Sequence, residues 1–498
     1  MATTTASPLH DLDSLQSFVD GDFVEGVDHL DVHHPATDEP IARVSCAGIG
    51  QVERAILAAR RAFDEGPWPS TSPAERAAAV LRMIDHLEDS EAALVDLVVA
   101  ETGCPRRVAG PVQVRMPLAQ ARESVSLFGS LPDTYPNAVP LAEAVGRDSV
   151  TLSVMRHAPV GVVVAVSAYN FPLHLALWKV LPALLAGNTV ILRPSPLTPL
   201  TALALARAGI AAGLPRGVLN VVVESGTSGA QLMTTHPAVD VVSFTGSTAV
   251  GRAIAAQAAP TLKRVLLELG GKSVGLYLPG SLDRVGAGVA GMMANHAGQA
   301  CVAQSRVLVP REFHGEAIES ICAAVRELRL GDPNDPETTV GPLAGSVHAR
   351  RVVDMIELGR REGAAVVAGG GHPSRLGGRL AAGNYVEPTV LDCPDQRITP
   401  AREEIFGPVV CVLAYDDPDH AVALANDSSF ALSAGVYGDP AEALAIAVRL
   451  DAGTVAVNRP FASAYVSSGG WKQSGIGRER GIEGLRAFQR IKHLAVSH

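Results

Sequence analysis

Short valine-rich runs alternate with stretches of helical spacing along most of this chain, and their order predicts its architecture. Residues 1–50 read as short strands and turns. Gln51–Phe63 then sets Val52, Ile56, Ala59 and Phe63 on one face of a helix. The next helix has a marked start. Ser72-Pro73-Ala74-Glu75 is a capping box with proline in the first turn, and Ala79, Leu81, Ile84 and Leu87 follow it. From Ala158 the pattern changes. Strands are predicted at Val162–Val166, Thr189–Arg193, Val218–Val223, Val241–Phe244 and Val265–Leu269, with helices such as Leu200–Ala212 and Ala249–Ala258 between them. Near-continuous apolar strands alternating with helices predict a parallel, doubly wound sheet covered on both faces.

After Gly270-Gly271 the alternation restarts. Strands are predicted at Ser305–Val309, Val366–Ala368, Tyr385–Leu391, Val409–Ala414 and Thr454–Asn458, and helices at Gly315–Leu328 and Arg350–Glu362. This is a second α/β domain. Two β-like stretches fit neither domain: Arg147–His157, with Val150, Leu152 and Val154 at period two, and Arg490–Val496. Such strands, distant in sequence and outside both cores, are expected at a subunit interface.

Composition narrows the partners. The 498 residues are enough for two such domains, and 47 % hydrophobic residues with a mean hydropathy of +0.20 exclude a disordered chain. Only 18 % of residues are charged, against a typical ~25 %, so much of the surface is neutral or lies in subunit contacts. Lys+Arg 41 against Asp+Glu 51 gives a net charge of −10 without a basic block, a poor match for nucleic acid or an anionic membrane. The uncharged run Ala158–Trp178 has the length of a membrane span, yet Pro159, Ser167, Asn170, Pro172 and His174 interrupt it. It reads instead as a buried strand, a loop and a helix.

Six scattered cysteines (Cys46, Cys104, Cys301, Cys322, Cys393, Cys411) form no C-x-x-C pair, and no Cys/His cluster has zinc spacing, so no metal is expected. The adjacent His33 and His34 would point to opposite sides of a strand. Reduced thiols, with nine acidic residues and no Lys or Arg before Arg43, lead to the expectation of a cytoplasmic protein without a basic leader.

Four segments carry candidate chemistry. Cys301, in Gly298-Gln299-Ala300-Cys301 ahead of a β-run, is either an accessible nucleophile or one more buried structural cysteine. Glu268 ends an apolar strand before Gly270-Gly271, where open α/β sheets build their sites. Partial burial there would raise its pKa toward the range of a general base, while a solvent-facing glutamate is the alternative. Ser225-Gly226-Thr227-Ser228-Gly229 and Thr245-Gly246-Ser247-Thr248 each follow a strand and lead into a helix. Free N–H groups at such a turn suit a pyrophosphate, although no G-x-G-x-x-G is present and a plain strand–helix turn would look the same. Asn170, after the Val162–Val166 strand, is either an oxyanion donor or a turn residue.

These segments together resemble the aldehyde dehydrogenase superfamily over essentially the whole chain. The matching motifs run in family order: Ala168-Tyr169-Asn170-Phe171-Pro172, Arg193-Pro194-Ser195, Phe244-Thr245-Gly246-Ser247, Leu267-Glu268-Leu269-Gly270-Gly271-Lys272, Gly298-Gln299-Ala300-Cys301, Glu403-Glu404-Ile405-Phe406-Gly407-Pro408 and Gly469-Gly470-Trp471-Lys472-Gln473-Ser474-Gly475-Ile476-Gly477-Arg478-Glu479. The resemblance implies two doubly wound α/β domains: a Rossmann-like cofactor domain (1–137 and 159–270) and a catalytic domain (271–470). A small β oligomerisation element (138–158 and 484–498) would join subunits into a homodimer or homotetramer. It also implies oxidation of an aldehyde to a carboxylic acid. Cys301 would form a thiohemiacetal, with the oxyanion held by the Asn170 amide and the Cys301 N–H, and hydride loss would leave a thioester that Glu268-activated water cleaves. Lys179 and Glu479 match a proton relay. Glu404 would hold the nicotinamide ribose and Phe406 would pack near the ring, while Arg193, Ser195, Gly226, Gly229, Phe244, Gly246, Ser247 and Leu269 line the rest of the cofactor.

The chain departs from the pattern in places. Tyr169 replaces the usual tryptophan, Arg193 the usual lysine, Pro196 the frequent glutamate and Ser467-Ser468 the frequent Pro-Phe. Losing the carboxylate at Pro196 removes a ribose 2′-OH acceptor and a repulsive charge against a 2′-phosphate, and Arg193 could pair with that phosphate. NAD is the cofactor the resemblance implies, and these two changes make NADP the alternative. The small Ala300 and Val302 beside the cysteine, with 4 % aromatics overall, point to a broad pocket for apolar aldehydes. Two other readings are a CoA-acylating relative, which has no use for Glu268 as a water-activating base, and a non-catalytic structural or binding protein, which has no reason to keep Cys301, Glu268 and Asn170 together.

Overall fold

Two large sheets organise the fold, one built mainly from strands up to Glu268 and the other from residues 274–457. The computed structural model describes residues 15–140, 145, 150–374, 376–459 and 463–497. Residues 147–149 of the predicted strand Arg147–His157 lie outside them.

The first sheet has eight strands in the order Asp22–Val24, Ser17–Val19, Leu219–Val221, Thr189–Arg193, Val162–Val166, Val241–Thr245, Arg264–Glu268 and Gly475–Ile476. Its five central strands are parallel and the outer ones antiparallel. Val162–Val166 and Thr189–Arg193 are buried throughout, as apolar strands between two helical layers must be. The predicted strand Val218–Val223 is shorter than expected, because the Val223 N–H is taken by the Ser17 side-chain hydroxyl (3.0 Å) and not by a backbone carbonyl of the adjoining strand. The uncharged run Ala158–Trp178 resolves into the end of one strand, a second strand, a loop and the start of the helix Pro172–Leu185. Among the described residues no helix is long and apolar enough to cross a membrane.

The second sheet runs Ala365–Ala368, Thr389–Asp392, Val409–Tyr415, Arg306–Pro310, Val274–Tyr277, Ser433–Tyr437 and Thr454–Val457, all parallel except the first. Tyr385–Leu391 shrinks to Thr389–Asp392, since Pro388 has no N–H to give the ladder. Two central strands, Val274–Tyr277 and Ser433–Tyr437, were not expected from the pattern. Each contains a glycine, Gly275 opposite Gly435, which weakens the β signal. The Gln304 side chain fills the space where their Cβ atoms would be and accepts a hydrogen bond from the Tyr437 hydroxyl at 2.9 Å.

The two stretches that fit neither core pair with each other. Gln489–Ser497 lies antiparallel to Thr151–Pro159 over nine residue pairs, with Thr134–Pro136 on the far side. Leu152, Leu494 and Val496 share one face of this ribbon and are exposed.

What this architecture positions is one line of strand ends. Arg193, Val166, Thr245 and Glu268 stand at the carboxyl ends of adjacent parallel strands, with Thr245 in register with Glu268. In open α/β sheets ligands bind in the crevice outside these ends.

Candidate active site

The nucleophile candidate sits on a constrained loop. The helix Val285–Ala294 ends before His296, Ala297 and Gly298, all three at positive φ (53°, 53° and 70°). Two consecutive non-glycine residues in that region mark stored strain, which the surroundings must hold. Gln299 does so. Its carbonyl accepts from Asn170 Nδ2 at 2.8 Å, its Oε1 accepts from the Ala344 N–H at 3.0 Å, and its Nε2 donates to the His296 carbonyl at 3.1 Å. Cys301 follows, and of the six cysteines it alone keeps part of its residue surface exposed, although its sulfur is enclosed. Its desolvated sulfur, close to the carboxylates of Glu268 and Glu404, has a pKa pushed up to about 12.

Glu268 ends its strand, and glycines make room around it. A Cβ on Gly270 would stand 2.5 Å from Glu404 Oε2, and one on Gly271 would stand 2.5 Å from the Cys301 carbonyl oxygen. Only a Gly-Gly turn lets the strand end pass between the two. Glu404 in turn accepts the Gly271 N–H at 3.0 Å, and burial holds its pKa above the ordinary value. For Glu268, burial first and the Glu479 charge second push the pKa up to about 8, against the pull of Lys179, Arg478 and Arg480. Lys179, fully buried on the helix after Asn170, is ion-paired with Glu479 and donates to Ser243 Oγ at 3.3 Å. The structure thus brings Cys301, Glu268, Asn170, Lys179, Glu479 and Glu404 into one neighbourhood. Phe406, at φ 63°, lies beside Glu404 with its ring edge-on to Tyr169 at 6.1 Å.

The remaining residues lie farther along the crevice. Ser247 caps the helix Thr248–Ala258 by accepting the Val250 N–H, and the Gly246 N–H donates to the Glu268 carbonyl at 3.0 Å. The buried Thr245 hydroxyl has no hydrogen-bond partner here, and Phe244 and Leu269 pack below, Leu269 against Gly251. An orphaned hydroxyl beside an eleven-residue helix's N-terminus fits a pyrophosphate. Ser195 serves a turn, its hydroxyl accepting the Leu197 N–H at 3.2 Å.

At the Ser225–Gly229 turn, where a phosphate cradle was expected, the reading of Gly229 as a phosphate donor is corrected. The Glu224 carboxylate already accepts the Gly229 N–H (2.8 Å) and the Ala230 N–H (3.0 Å), so the anion at this helix start belongs to the chain itself. Arg193 pairs with the same carboxylate. Gln299, Glu224 and Arg480 stand beside the candidate residues without a role suggested by their motifs. Arg480 lies with its guanidinium 4.4 Å over the Trp178 ring, close enough to Glu479, Glu268 and Cys301 to feel all three.

The sequence profile of the aldehyde dehydrogenase family matches residues 23–494. A betaine aldehyde dehydrogenase of Rhizobium leguminosarum is 38 % identical over 491 residues, covering 96 % of each chain. Among solved structures, aldehyde dehydrogenase C of Pseudomonas syringae, a variant complexed with NAD+ and octanal, is 35 % identical with a TM-score of 0.91, covering 98 % of this chain and 97 % of that one. Betaine aldehyde dehydrogenase of Staphylococcus aureus with NAD+ is 32 % identical, with a TM-score of 0.90 and coverage of 97 % and 94 %.

The coupling between Cys301 and Glu268 is open to direct measurement. Neutral iodoacetamide should alkylate Cys301 slowly at pH 7 and faster as pH rises, read by intact mass. Above pH 8, where Glu268 is ionised, Glu268→Gln should speed alkylation several-fold, since each pKa unit removed from the thiol gives ~10 times more thiolate. Equal or slower alkylation in the variant would show that the carboxylate does not act on the sulfur.

Proposed function

The chain belongs to the aldehyde dehydrogenase family and is an NAD-dependent enzyme that oxidises an aldehyde through a cysteine adduct; we propose that Cys301 is the nucleophile, Asn170 the oxyanion donor and Glu268 the base. The observation that carries this assignment is the hydrogen bond from Asn170 to Gln299, which fixes the amide against the loop of Cys301. In that reading the Cys301 thiol first gives its proton to water, and the thiolate sulfur bonds to the aldehyde carbon as the carbonyl π pair moves onto oxygen. The second Asn170 N–H and the Cys301 N–H stabilise the oxyanion. NAD+, when bound, supplies the acceptor for the hydride whose loss leaves a thioester on Cys301. Glu268, with a pKa of about 8, takes a proton from water as the water oxygen adds to the thioester. The C–S bond then breaks, releasing the acid and the thiolate. The Lys179–Glu479 pair carries the proton onward. The Thr245–Thr248 turn would hold the pyrophosphate and Glu404 the ribose hydroxyls.

The pocket wall bears on the substrate class. Phe171, His174 and Trp178 lie on one face of the helix after Asn170, with His174 and Trp178 rings 4.0 Å apart. A trimethylammonium group is recognised on the face of an aromatic ring, and here the chain's own Arg480 covers the Trp178 face. We therefore read the preferred substrates as neutral, apolar aldehydes, the class of the octanal bound by the Pseudomonas relative.

Two experiments follow. Cys301→Ala should form no NADH from aldehyde and NAD+ without CoA, and Glu268→Ala should accumulate an acyl adduct on intact protein. Turnover in Cys301→Ala, or a strict need for CoA, would overturn the assignment. The second compares betaine aldehyde with 3,3-dimethylbutanal, which replaces the cationic nitrogen by carbon at equal shape. The neutral aldehyde should have the higher kcat/KM by ~10-fold or more, the worth of about one charge contact, and Arg480→Met should narrow the gap. A preference for betaine aldehyde in the unmodified enzyme would contradict this reading.

A further inference from the structure

The crevice ends, away from Cys301, in an ion pair that the proposed chemistry does not use. Arg193 closes its strand; its Nε donates to Glu224 Oε1 at 2.9 Å and its Nη2 to the Gly226 carbonyl at 2.9 Å. Glu224 also receives the Gly229 and Ala230 N–H groups, so its carboxylate is held from three sides. The side chains are 11 % and 5 % exposed. Burial this deep, with every contact short, marks a built pair rather than a chance surface contact. Asp28, accepting from Ser225 Oγ at 2.6 Å, adds a second negative charge at the rim.

The sheet order says what this pair faces. From Glu268 the strands run Arg264–Glu268, Val241–Thr245, Val162–Val166, Thr189–Arg193 and Leu219–Val221. The reacting residues cluster at the first of these ends and at the Asn170 loop. The helix start suited to a pyrophosphate follows Thr245. A dinucleotide with its nicotinamide at Cys301 and its pyrophosphate at Thr245–Thr248 runs out of crevice at Arg193 and Glu224, and brings its adenosine ribose there. This placement rests on the cofactor reading above.

NAD and NADP differ by one phosphate on that ribose. A 2′-hydroxyl can donate to a carboxylate, whereas a phosphate meets it as a like charge. An unpaired arginine at this end would suit the phosphate through bidentate contact. Here Glu224 already holds the guanidinium, and the helix start of Ser228–Thr235 that would attract an anion is filled by the same carboxylate. Pro196 brings no acid to this end, so Glu224 supplies one from the next loop. We propose that Glu224 is the residue that selects NAD over NADP, by accepting from the ribose and by keeping Arg193 from a 2′-phosphate.

The test is calorimetric binding of NAD+ and NADP+ to the full-length enzyme and to Glu224→Gln, with melting temperatures recorded for both. The unmodified enzyme should bind NAD+ at least ~10-fold more tightly than NADP+, and the variant should tighten NADP+ by a similar factor while weakening NAD+ slightly, one tenfold step per like-charge contact removed. A binding ratio unchanged in a variant that melts normally would overturn the proposal. Should the variant fail to fold, ADP-ribose against its 2′-phosphorylated form on the unmodified enzyme decides: equal affinities overturn it, and a ~10-fold preference for ADP-ribose supports it. Absence of NAD+ binding to the unmodified enzyme would instead overturn the cofactor reading beneath it.

Discussion

One hydrogen bond links the two halves of the reaction centre. Asn170 belongs to the loop after a central strand of the first sheet, and Gln299 belongs to the loop that leads into the second. Their 2.8 Å contact fixes the amide relative to Cys301. An amide nitrogen has two protons, and this bond uses one of them. The other is the one that the proposed oxyanion role would use. Everything around the contact serves to hold it still. The positive-φ residues before the cysteine would relax without it, and the remaining bonds of Gln299 pin the same loop to Ala344 and His296.

Desolvation does the rest of the tuning. Glu268 and Cys301 are both pushed toward their neutral forms, chiefly by burial and then by each other's surroundings. Once ionised, a carboxylate with a pKa of about 8 is a stronger base than one on the surface, with a pKa near the working pH. The buried Lys179–Glu479 pair sets its field from behind: Glu479 raises Glu268 and Lys179 lowers it. Breaking a buried pair by removing one partner leaves an unpaired charge, so the two must be kept together.

The parallel strands of the first sheet were legible because buried strands between helical layers need unbroken apolar runs. That Cys301, Glu268 and Asn170 would lie together was legible because their motifs join reactive side chains to glycines that allow close approach, Gly270 and Gly271 above all. The strands Val274–Tyr277 and Ser433–Tyr437 were not, since Gly275 and Gly435 look like turn residues until the Gln304 side chain is seen between them. Glu224 was hidden for another reason. A glutamate after three valines reads as a solvent-facing strand end, and only the fold brings Arg193 and the Gly229 N–H to it. The same contact explains why the turn at Ser225–Gly229, read as a phosphate cradle, is filled by the chain's own carboxylate.

The Asn170 amide is the most direct point at which to probe the reaction centre. Single-turnover NADH formation by Asn170→Ala, with saturating NAD+ and octanal, isolates the steps before thioester hydrolysis. Loss of one oxyanion donor should slow that phase by ~10²–10³-fold while NAD+ affinity holds. A burst within about threefold of the unmodified enzyme, well short of that range, would contradict the claim that this amide stabilises the adduct on Cys301.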